Sequence, residues 1–294
     1  MTTITIGTAQ REGTAGLIAD AAATYTSDAT GRTAVALVDG MGHDPGIVRL
    51  APMLAETAAR VGAGRGALAG LLSAGLLAAD PGPDGVGVLA VLREDGSAEL
   101  VWAGDCRAYR WHDGQLVQLT TDHNLAAYLT EAARGAGTVP VSALADYVGV
   151  TLGLATVATA PFVSVPAGGA LILTSDGVHD QVTVEVIEGL VREHQGDLQA
   201  LADALVAAAV TTAEGYRDDA TAVVLPLAPA ADGPGLSPAV AMHLGRMAVT
   251  AQGLPTSVRA RVEDAIDGAI RGGGEPAVLA LMDLLLATAV DAGS

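Results

Sequence analysis

Three short acidic turns contain the residues of this chain best suited to do chemistry. Each adjoins an apolar run. Asp39 follows one in Leu37-Val38-Asp39-Gly40, Asp176 follows one in Leu173-Thr174-Ser175-Asp176, and Asp218 shortly precedes the apolar stretch that starts at Ala220. A carboxylate beside a buried strand places negative charge at a chain reversal. Carboxylates, backbone carbonyls and water are the oxygen ligands that Mg²⁺ and Mn²⁺ prefer. The pattern therefore predicts carboxylates that converge on hard divalent cations, and with them a metal-dependent hydrolase.

A simpler interpretation of each turn stays open. Asp-Gly and Asp-Asp are ordinary turn sequences, because the short Asp side chain can accept hydrogen bonds from the local backbone. Taken singly, each acidic turn is explained equally well as a chain reversal. The repetition of the pattern in a largely hydrophobic chain is what favours the metal hypothesis.

Composition narrows the class of protein. The chain has 294 residues, 50% of them hydrophobic but only 3% aromatic, so its core is expected to consist of Ala, Val and Leu. A formal charge of −18 and a pI near 4.4 argue against nucleic acid as a partner, since phosphates need a basic surface. The single cysteine, Cys106, excludes an intramolecular disulfide and a thiolate zinc cluster.

No segment has the pattern of a leader or a membrane span. The stretch from Met1 to Gly13 lacks a basic start followed by an apolar core. The apolar run from Ala67 to Ala79 is shorter than the roughly 20 residues of a spanning helix, and the run from Ala277 to Val290 contains Asp283. We expect both runs to be buried helices, no membrane contact, and a cytoplasmic protein.

The order of predicted elements indicates the fold class. β-Branched and apolar runs predict strands, whereas apolar residues at helical spacing predict helices. Strands are expected at residues 33–38, 86–92, 98–103, 107–111, 115–119, 170–174 and 220–227, and helices at 48–61, 65–79, 124–134, 183–194 and 197–212. Strand-rich hairpins mixed with helix pairs favour an α+β fold, an antiparallel β-sandwich flanked by helix pairs in αββα order.

The C-terminal part has a different composition. Residues 229–238 are rich in Pro, Gly, Ala and Asp without periodicity, which is typical of a linker. Beyond it, residues 239–294 contain helical patterns and are predicted to form a C-terminal helical appendage. Its Ala, Leu and Met content suggests a dimer interface, although a covering layer on the main domain explains it equally well. The main domain is expected to span residues 1–228.

With these segments in place, the chain resembles the bacterial metal-dependent serine/threonine protein phosphatases of the PPM, or type 2C, family. The resemblance runs from about Asp20 to Leu227 and rests on motifs that follow one another in the family's order. They are Val38-Asp39-Gly40-Met41-Gly42, Gly104-Asp105-Cys106-Arg107, Thr120-Thr121-Asp122-His123, Thr174-Ser175-Asp176-Gly177 and Asp218-Asp219-Ala220-Thr221. The resemblance implies the αββα sandwich and an enzyme that removes phosphate from phosphoserine or phosphothreonine in proteins.

The resemblance also implies roles for particular residues. Asp39 would bridge two Mn²⁺ or Mg²⁺ ions, and Gly40 would offer its carbonyl to one of them. Asp176 and Asp218 would hold the other side of the pair, so that Asp39, Asp176 and Asp218 form the catalytic set. Asp20 would bind a metal through water. The two ions would activate a water for in-line attack on phosphorus.

Asp105, with Asp176, would bind a third and weaker ion. A phosphoprotein of a bacterial Ser/Thr kinase pathway is the expected substrate.

The chain departs from the family pattern near its N-terminus. Ile18-Ala19 replaces the Asn-Glu of the family's Asn-Glu-Asp motif, and Ala15 stands where an Arg clamps the substrate phosphate. Arg11 and Arg32 are the alternatives for that clamp. Asp219 also replaces Asn in the closing motif. These differences support a second hypothesis, a catalytically weak or inactive pseudophosphatase that binds phosphoproteins as a regulatory module.

Structural roles are the alternatives for several residues. Asp20 could be a solvated carboxylate at the entrance of a strand, and Asp105 could pair with Arg107. His123 and His179 are expected to be hydrogen-bonded structural residues. Two further expectations are that Asp180 caps the helix that follows it and that Cys106 is a small buried residue.

Overall fold

The structure is a computed structural model that describes residues 4–78, 82–125, 127, 147–211 and 215–229. These residues form two five-stranded antiparallel sheets with helices outside them. The predicted α+β sandwich is therefore confirmed. Among the described residues, no helix is long and apolar enough to cross a bilayer.

The strands and helices follow the chain in a regular order. The strands are β1 Gly7–Arg11, β2 Ala21–Thr26, β3 Thr33–Gly40, β4 Gly85–Leu92, β5 Ala98–Ala103, β6 Arg107–His112, β7 Gln115–Gln118, β8 Phe162–Val165, β9 Gly169–Thr174 and β10 Ala220–Leu227. The helices are α1 Pro45–Arg65, α2 Ala67–Gly75, α3 Asp176–His179, α4 Val184–Glu193 and α5 Leu198–Ala208.

Each sheet combines strands that are distant in the sequence. The first sheet has the order β1-β10-β9-β6-β7, and the second has the order β2-β3-β4-β5-β8. In the first sheet Gly7 pairs with Val224, so the beginning and the end of this domain lie side by side. In the second sheet Val38 pairs with Ala21 and Asp39 with Val86. The strand order explains how remote turns reach one edge of the sandwich.

The core forms three apolar layers because the central strands are buried on both faces. In β3, Val35 and Leu37 point between the sheets, whereas Ala36 and Val38 contact the layer of α1 and α2. This alternation is the period of two of a β-strand. Asp39 has the same parity as Leu37, so the end of β3 brings a carboxylate to the rim of the inter-sheet layer. Helices α4 and α5 cover the outer face of the first sheet.

The differences from the sequence predictions are confined to short or exposed elements. Strands β1, β2 and β8 and the single-turn helix α3 were not predicted. The predicted helix at 124–134 lies almost entirely outside the described residues. So do most of the linker at 229–238 and all of the C-terminal appendage at 239–294, and both stay predictions, as does the domain boundary at 228.

Candidate metal centre

Five carboxylates predicted as metal ligands come from strand ends at one edge of the sandwich. Asp39 ends β3, and Asp20 directly precedes β2. Asp176 begins α3 after β9, and Asp218 stands two residues before β10. Asp105 lies in the turn that connects β5 of the second sheet to β6 of the first. Both sheets therefore contribute acidic residues to this edge.

A cavity of about 450 Å³ opens at this edge. Four of the predicted acidic residues line it, together with the predicted carbonyl donor Gly40. The acidic lining residues are Asp39, Asp105, Asp122, Asp176, Asp180 and Asp218. Asp20 lies behind this wall, where its Oδ2 accepts a hydrogen bond of 2.8 Å from Ser175 Oγ.

Asp39 and Asp176 are in direct contact across the two sheets. Their side chains are hydrogen-bonded to each other, and Asp39 is the donor. Burial, then the charge of Asp176, raises the pKa of Asp39 well above its usual range. Burial, then the charge of Asp218, raises the pKa of Asp176 to about 7.

The pKa values of Asp20 and Asp105 are also shifted toward protonation. Burial raises the pKa of Asp20 well above its usual range, although hydrogen bonds from Thr221 and Ser175 partly oppose the shift. Burial also raises the pKa of Asp105 to about 6. Clustered carboxylates with raised pKa values are the electrostatic environment that a bound divalent cation would neutralise.

The geometry fits hydrated ions better than a fully protein-built cage. Among the described residues, no three His, Cys, Asp or Glu side chains already stand at the positions of a preformed metal cluster. Asp39 and Asp176 are instead hydrogen-bonded to each other. Mg²⁺ usually keeps several waters and takes only one or two carboxylates per ion. The donors present, Asp oxygens and the Gly40 carbonyl, therefore fit such ions.

The cavity contains one arginine among the residues that the structure describes, and this arginine is already paired. Arg107 Nη2 lies 2.7 Å from Asp122 Oδ2, and Arg107 Nε lies 3.1 Å from Asp122 Oδ1. The alternative pairing of Arg107 with Asp105 is thus not the one formed. Arg11 donates instead to the carbonyl of Ala209, and Arg32 donates to the carbonyl of Gly64 at 3.1 Å. Neither lines the cavity.

Two residues beside the cavity were not identified from the sequence as parts of the site. His43 Nε2 lies 3.6 Å from Asp218 Oδ1 and 3.5 Å from Asp219 Oδ2. The buried carboxylate of Asp219 accepts hydrogen bonds of 2.6 Å from the backbone N–H groups of Gly13 and Ala19. The only sequence signal for this arrangement is the second Asp of the Asp218-Asp219 pair.

His179, His123 and Cys106 are the residues expected to have structural roles, and the structure gives their hydrogen bonds and burial. The Nδ1 atom of His179 and the Oγ1 atom of Thr174 are 2.9 Å apart, and His123 Nδ1 accepts from the N–H of Gly104 at 3.2 Å. Burial lowers the pKa of both histidines, well below the usual range for His179. Cys106 is buried in the inter-sheet layer.

The prediction that Asp180 caps the following helix is wrong. Thr183 occupies the N-cap of α4, and Asp180 follows the last residue of α3.

Neither protein-family models nor curated protein sequences match this chain. Solved structures do match. The S. agalactiae serine/threonine phosphatase has a TM-score of 0.64 and 17% identity, and the alignment covers 76% of this chain and 100% of that one.

Two further structures cover 77% of this chain and 100% of their own. The PPM Ser-Thr phosphatase MsPP from Mycobacterium smegmatis, in complex with cacodylate, has a TM-score of 0.61 and 21% identity. The catalytic domain of the serine/threonine protein phosphatase PstP, in complex with two manganese ions, has a TM-score of 0.54 and 23% identity. The chain therefore has the fold of the bacterial PPM-type serine/threonine phosphatases.

Proposed function

We propose that this protein is a Mn²⁺- or Mg²⁺-dependent phosphatase that hydrolyses phosphoserine and phosphothreonine in proteins. The observation that carries the proposal is the contact between Asp39 and Asp176, which come from different sheets and meet at the wall of one acidic cavity. The PPM fold supports the same function, because a structural neighbour with this fold binds two manganese ions.

The proposed ligands are those that the resemblance to the family implies. Asp39, the Gly40 carbonyl, Asp176 and Asp218 would hold the two ions, with Asp39 shared between them. Asp20, buried behind the wall, would bind an ion through a water. Asp105 would contribute, with Asp176, to a third and weaker site.

In this proposal the ions and the protein chain contribute different parts of the chemistry. A pair of divalent ions supplies Lewis acidity and a nucleophilic water at neutral pH. The chain supplies the carboxylates, and the sandwich keeps them in place because each of them lies at or within two residues of a strand end. Ser175 fixes Asp20 through its Oγ and in turn accepts a hydrogen bond from the N–H of Thr221 at 2.9 Å, which links β9 to β10.

The test is phosphate release from a phosphoserine or phosphothreonine peptide by the full chain in millimolar Mn²⁺. Asp39→Asn keeps the size of the side chain but removes the bridging charge, so we expect activity to fall by at least 100-fold. A matched control is Asp203→Asn on α5, a carboxylate away from the cavity, which should leave activity unchanged. Wild-type activity no higher than that of Asp39→Asn would refute the enzymatic proposal.

The alternative is a regulatory protein that keeps the fold and binds phosphoproteins without turnover. One observation favours it: within the described part of the cavity wall, the guanidinium of Arg107 is engaged by Asp122, so no uncommitted arginine lines the cavity there. This hypothesis expects Mn²⁺ uptake and phosphopeptide binding with no hydrolysis. Release of phosphate that depends on Asp39 would eliminate it.

Further proposals concern partners and location. A phosphoprotein of a bacterial Ser/Thr kinase pathway is the proposed substrate, because the structural neighbours are bacterial serine/threonine phosphatases. We also propose a cytoplasmic protein. A dimer through residues 239–294 is proposed from their composition alone.

A further inference from the structure

A single buried carboxylate connects the two chain segments that contain Asp20 and Asp218. Asp219 Oδ1 accepts from the N–H of Gly13, and its Oδ2 accepts from the N–H of Ala19, both at 2.6 Å. Ala19 directly precedes Asp20, and Asp218 directly precedes Asp219. Both oxygens of this side chain are therefore occupied by backbone donors about two hundred positions earlier in the sequence.

Further hydrogen bonds hold the same two segments together. The N–H of Thr14 donates to the carbonyl of Arg217 at 2.9 Å, and the N–H of Arg217 donates to Thr14 Oγ1 at 3.2 Å. Arg217 Nη2 donates to the carbonyl of Glu12 at 2.9 Å. We call this set of contacts between residues 12–19 and 217–219 the N-terminal clamp.

The clamp is closely packed as well as hydrogen-bonded. A Cβ atom at Gly13 would lie 2.6 Å from the carbonyl oxygen of Arg217 and 2.9 Å from the backbone nitrogen of Asp219. Real Cβ atoms do not approach so closely, so glycine at this position is what lets the two backbones meet. Asp219 is also adjacent to His43, whose Nε2 is 3.5 Å from Asp219 Oδ2.

We propose that Asp219 is a positioning residue for the metal centre: by binding the N–H groups of Gly13 and Ala19, it fixes Asp20 and Asp218 relative to each other. The proposal rests on the function proposed above, because it presumes that these carboxylates serve divalent ions. Asp219→Ala removes both acceptor oxygens, so the N–H groups of Gly13 and Ala19 lose the partner that joins residues 12–19 to residues 217–219.

The experiment measures Mn²⁺ binding to the full chain by titration calorimetry, alongside phosphopeptide hydrolysis and thermal unfolding. We expect Asp219→Ala to weaken Mn²⁺ binding by roughly tenfold or more, the usual effect of losing a partner that orients metal ligands. Thr14→Val, at an exposed position, removes the hydrogen bonds of Thr14 Oγ1 with the N–H and the carbonyl of Arg217 and should give a smaller loss in the same direction. It serves as the second variant should Asp219→Ala fold poorly.

The matched control is Asp197→Ala. The Asp197 carboxylate also accepts a backbone hydrogen bond, from Ala200 at 2.9 Å, but it caps α5 and does not line the cavity. Loss of this cap should lower thermal stability while leaving the Mn²⁺ affinity as in the wild type. Equal loss of affinity in Asp197→Ala and Asp219→Ala would overturn the positioning role, because general destabilisation would then explain both.

The outcomes also separate this inference from the proposed function. If wild-type protein binds Mn²⁺ and hydrolyses the phosphopeptide, but Asp219→Ala matches it in Mn²⁺ affinity, the positioning role is refuted and the enzyme stands. If wild-type protein takes up no Mn²⁺, both proposals fall together.

Discussion

Burial makes several carboxylates in this cavity harder to ionise than an ordinary Asp side chain. Asp39 and Asp176 are hydrogen-bonded to each other, and burial raises the pKa of both side chains. Removing two like charges from water without a counterion is costly, so burial favours protonation of the pair. A divalent ion would supply the counterion and oppose this shift. The same side chains therefore make the metal-free protein sensitive to pH.

We predict that the metal-free protein is more stable at pH 5 than at pH 7. Burial raises the pKa of Asp176 to about 7 and that of Asp105 to about 6, whereas an unfolded Asp titrates near 4. Between these values the folded chain binds more protons than the unfolded chain, so the free energy of unfolding falls as pH rises through this window. Urea denaturation in the presence of a chelator measures it.

Asp176→Asn supplies the comparison for this prediction. Its amide cannot ionise, so the fall in stability between pH 5 and pH 7 should be smaller than in the wild type. An identical slope in both proteins would contradict the assignment of the pH dependence to this cavity. Excess Mn²⁺ should stabilise the wild type at pH 7, because an ion that binds only the folded state shifts the equilibrium toward it.

Only some residues of the candidate site could be identified from the sequence. The acidic turns at Asp39, Asp176 and Asp218 stand out because each adjoins an apolar strand. The role of Asp219 could not be predicted, since its partners are backbone N–H groups of Gly13 and Ala19, and every residue but proline has such a group. Sequence patterns show which side chains are present, but not which remote backbone they contact.

At the scale of elements, the turn from β9 into α3 is the least tolerant part of the site. A Cβ atom at Gly177 would lie 1.9 Å from the carbonyl oxygen of Asp219, which directly precedes β10. The first turn of α3 and the backbone before β10 therefore touch. This close approach places Asp176 and Asp218 at the same cavity wall.

We predict that Gly177→Ala forces α3 away from β10, because the new methyl group has no space. The expected loss is about 1–3 kcal/mol in the free energy of unfolding, typical of an overpacked interior, with weaker Mn²⁺ binding. Gly189→Ala is the control: it lies in α4 with no atom within 4 Å of its Cβ, and Ala favours a helix over Gly. Denaturant unfolding and calorimetry of both variants check the prediction, which fails if the two behave alike.

The elements that sequence patterns predicted well are those with strong periodicity. Strand β4 is apolar throughout and buried at every position, and α1 has a regular apolar face. Strand β1, with the sequence Gly-Thr-Ala-Gln-Arg, is largely polar and only partly buried, and β8 is a short strand with two exposed residues. Their strand structure comes from pairing with β10 and β5 rather than from their own sequence.

At the scale of the whole molecule, the described part of the chain is a PPM-type sandwich. The layer order could be predicted because hairpins and helix pairs follow one another along the sequence. The sheet order could not, since β1 pairs with a strand more than two hundred positions away. The αββα sandwich is thus confirmed, whereas the C-terminal helical appendage, its linker and the proposed dimer stay predictions.

The most direct test of the metal centre is the anomalous scattering of manganese in crystals of the full chain grown with Mn²⁺. We predict two peaks about 3.5–4 Å apart, both within reach of Asp39, with Asp176 and Asp218 on the opposite side of the pair. An absence of peaks in the cavity, or peaks bound only by surface carboxylates elsewhere, would contradict the convergence of these residues on divalent ions.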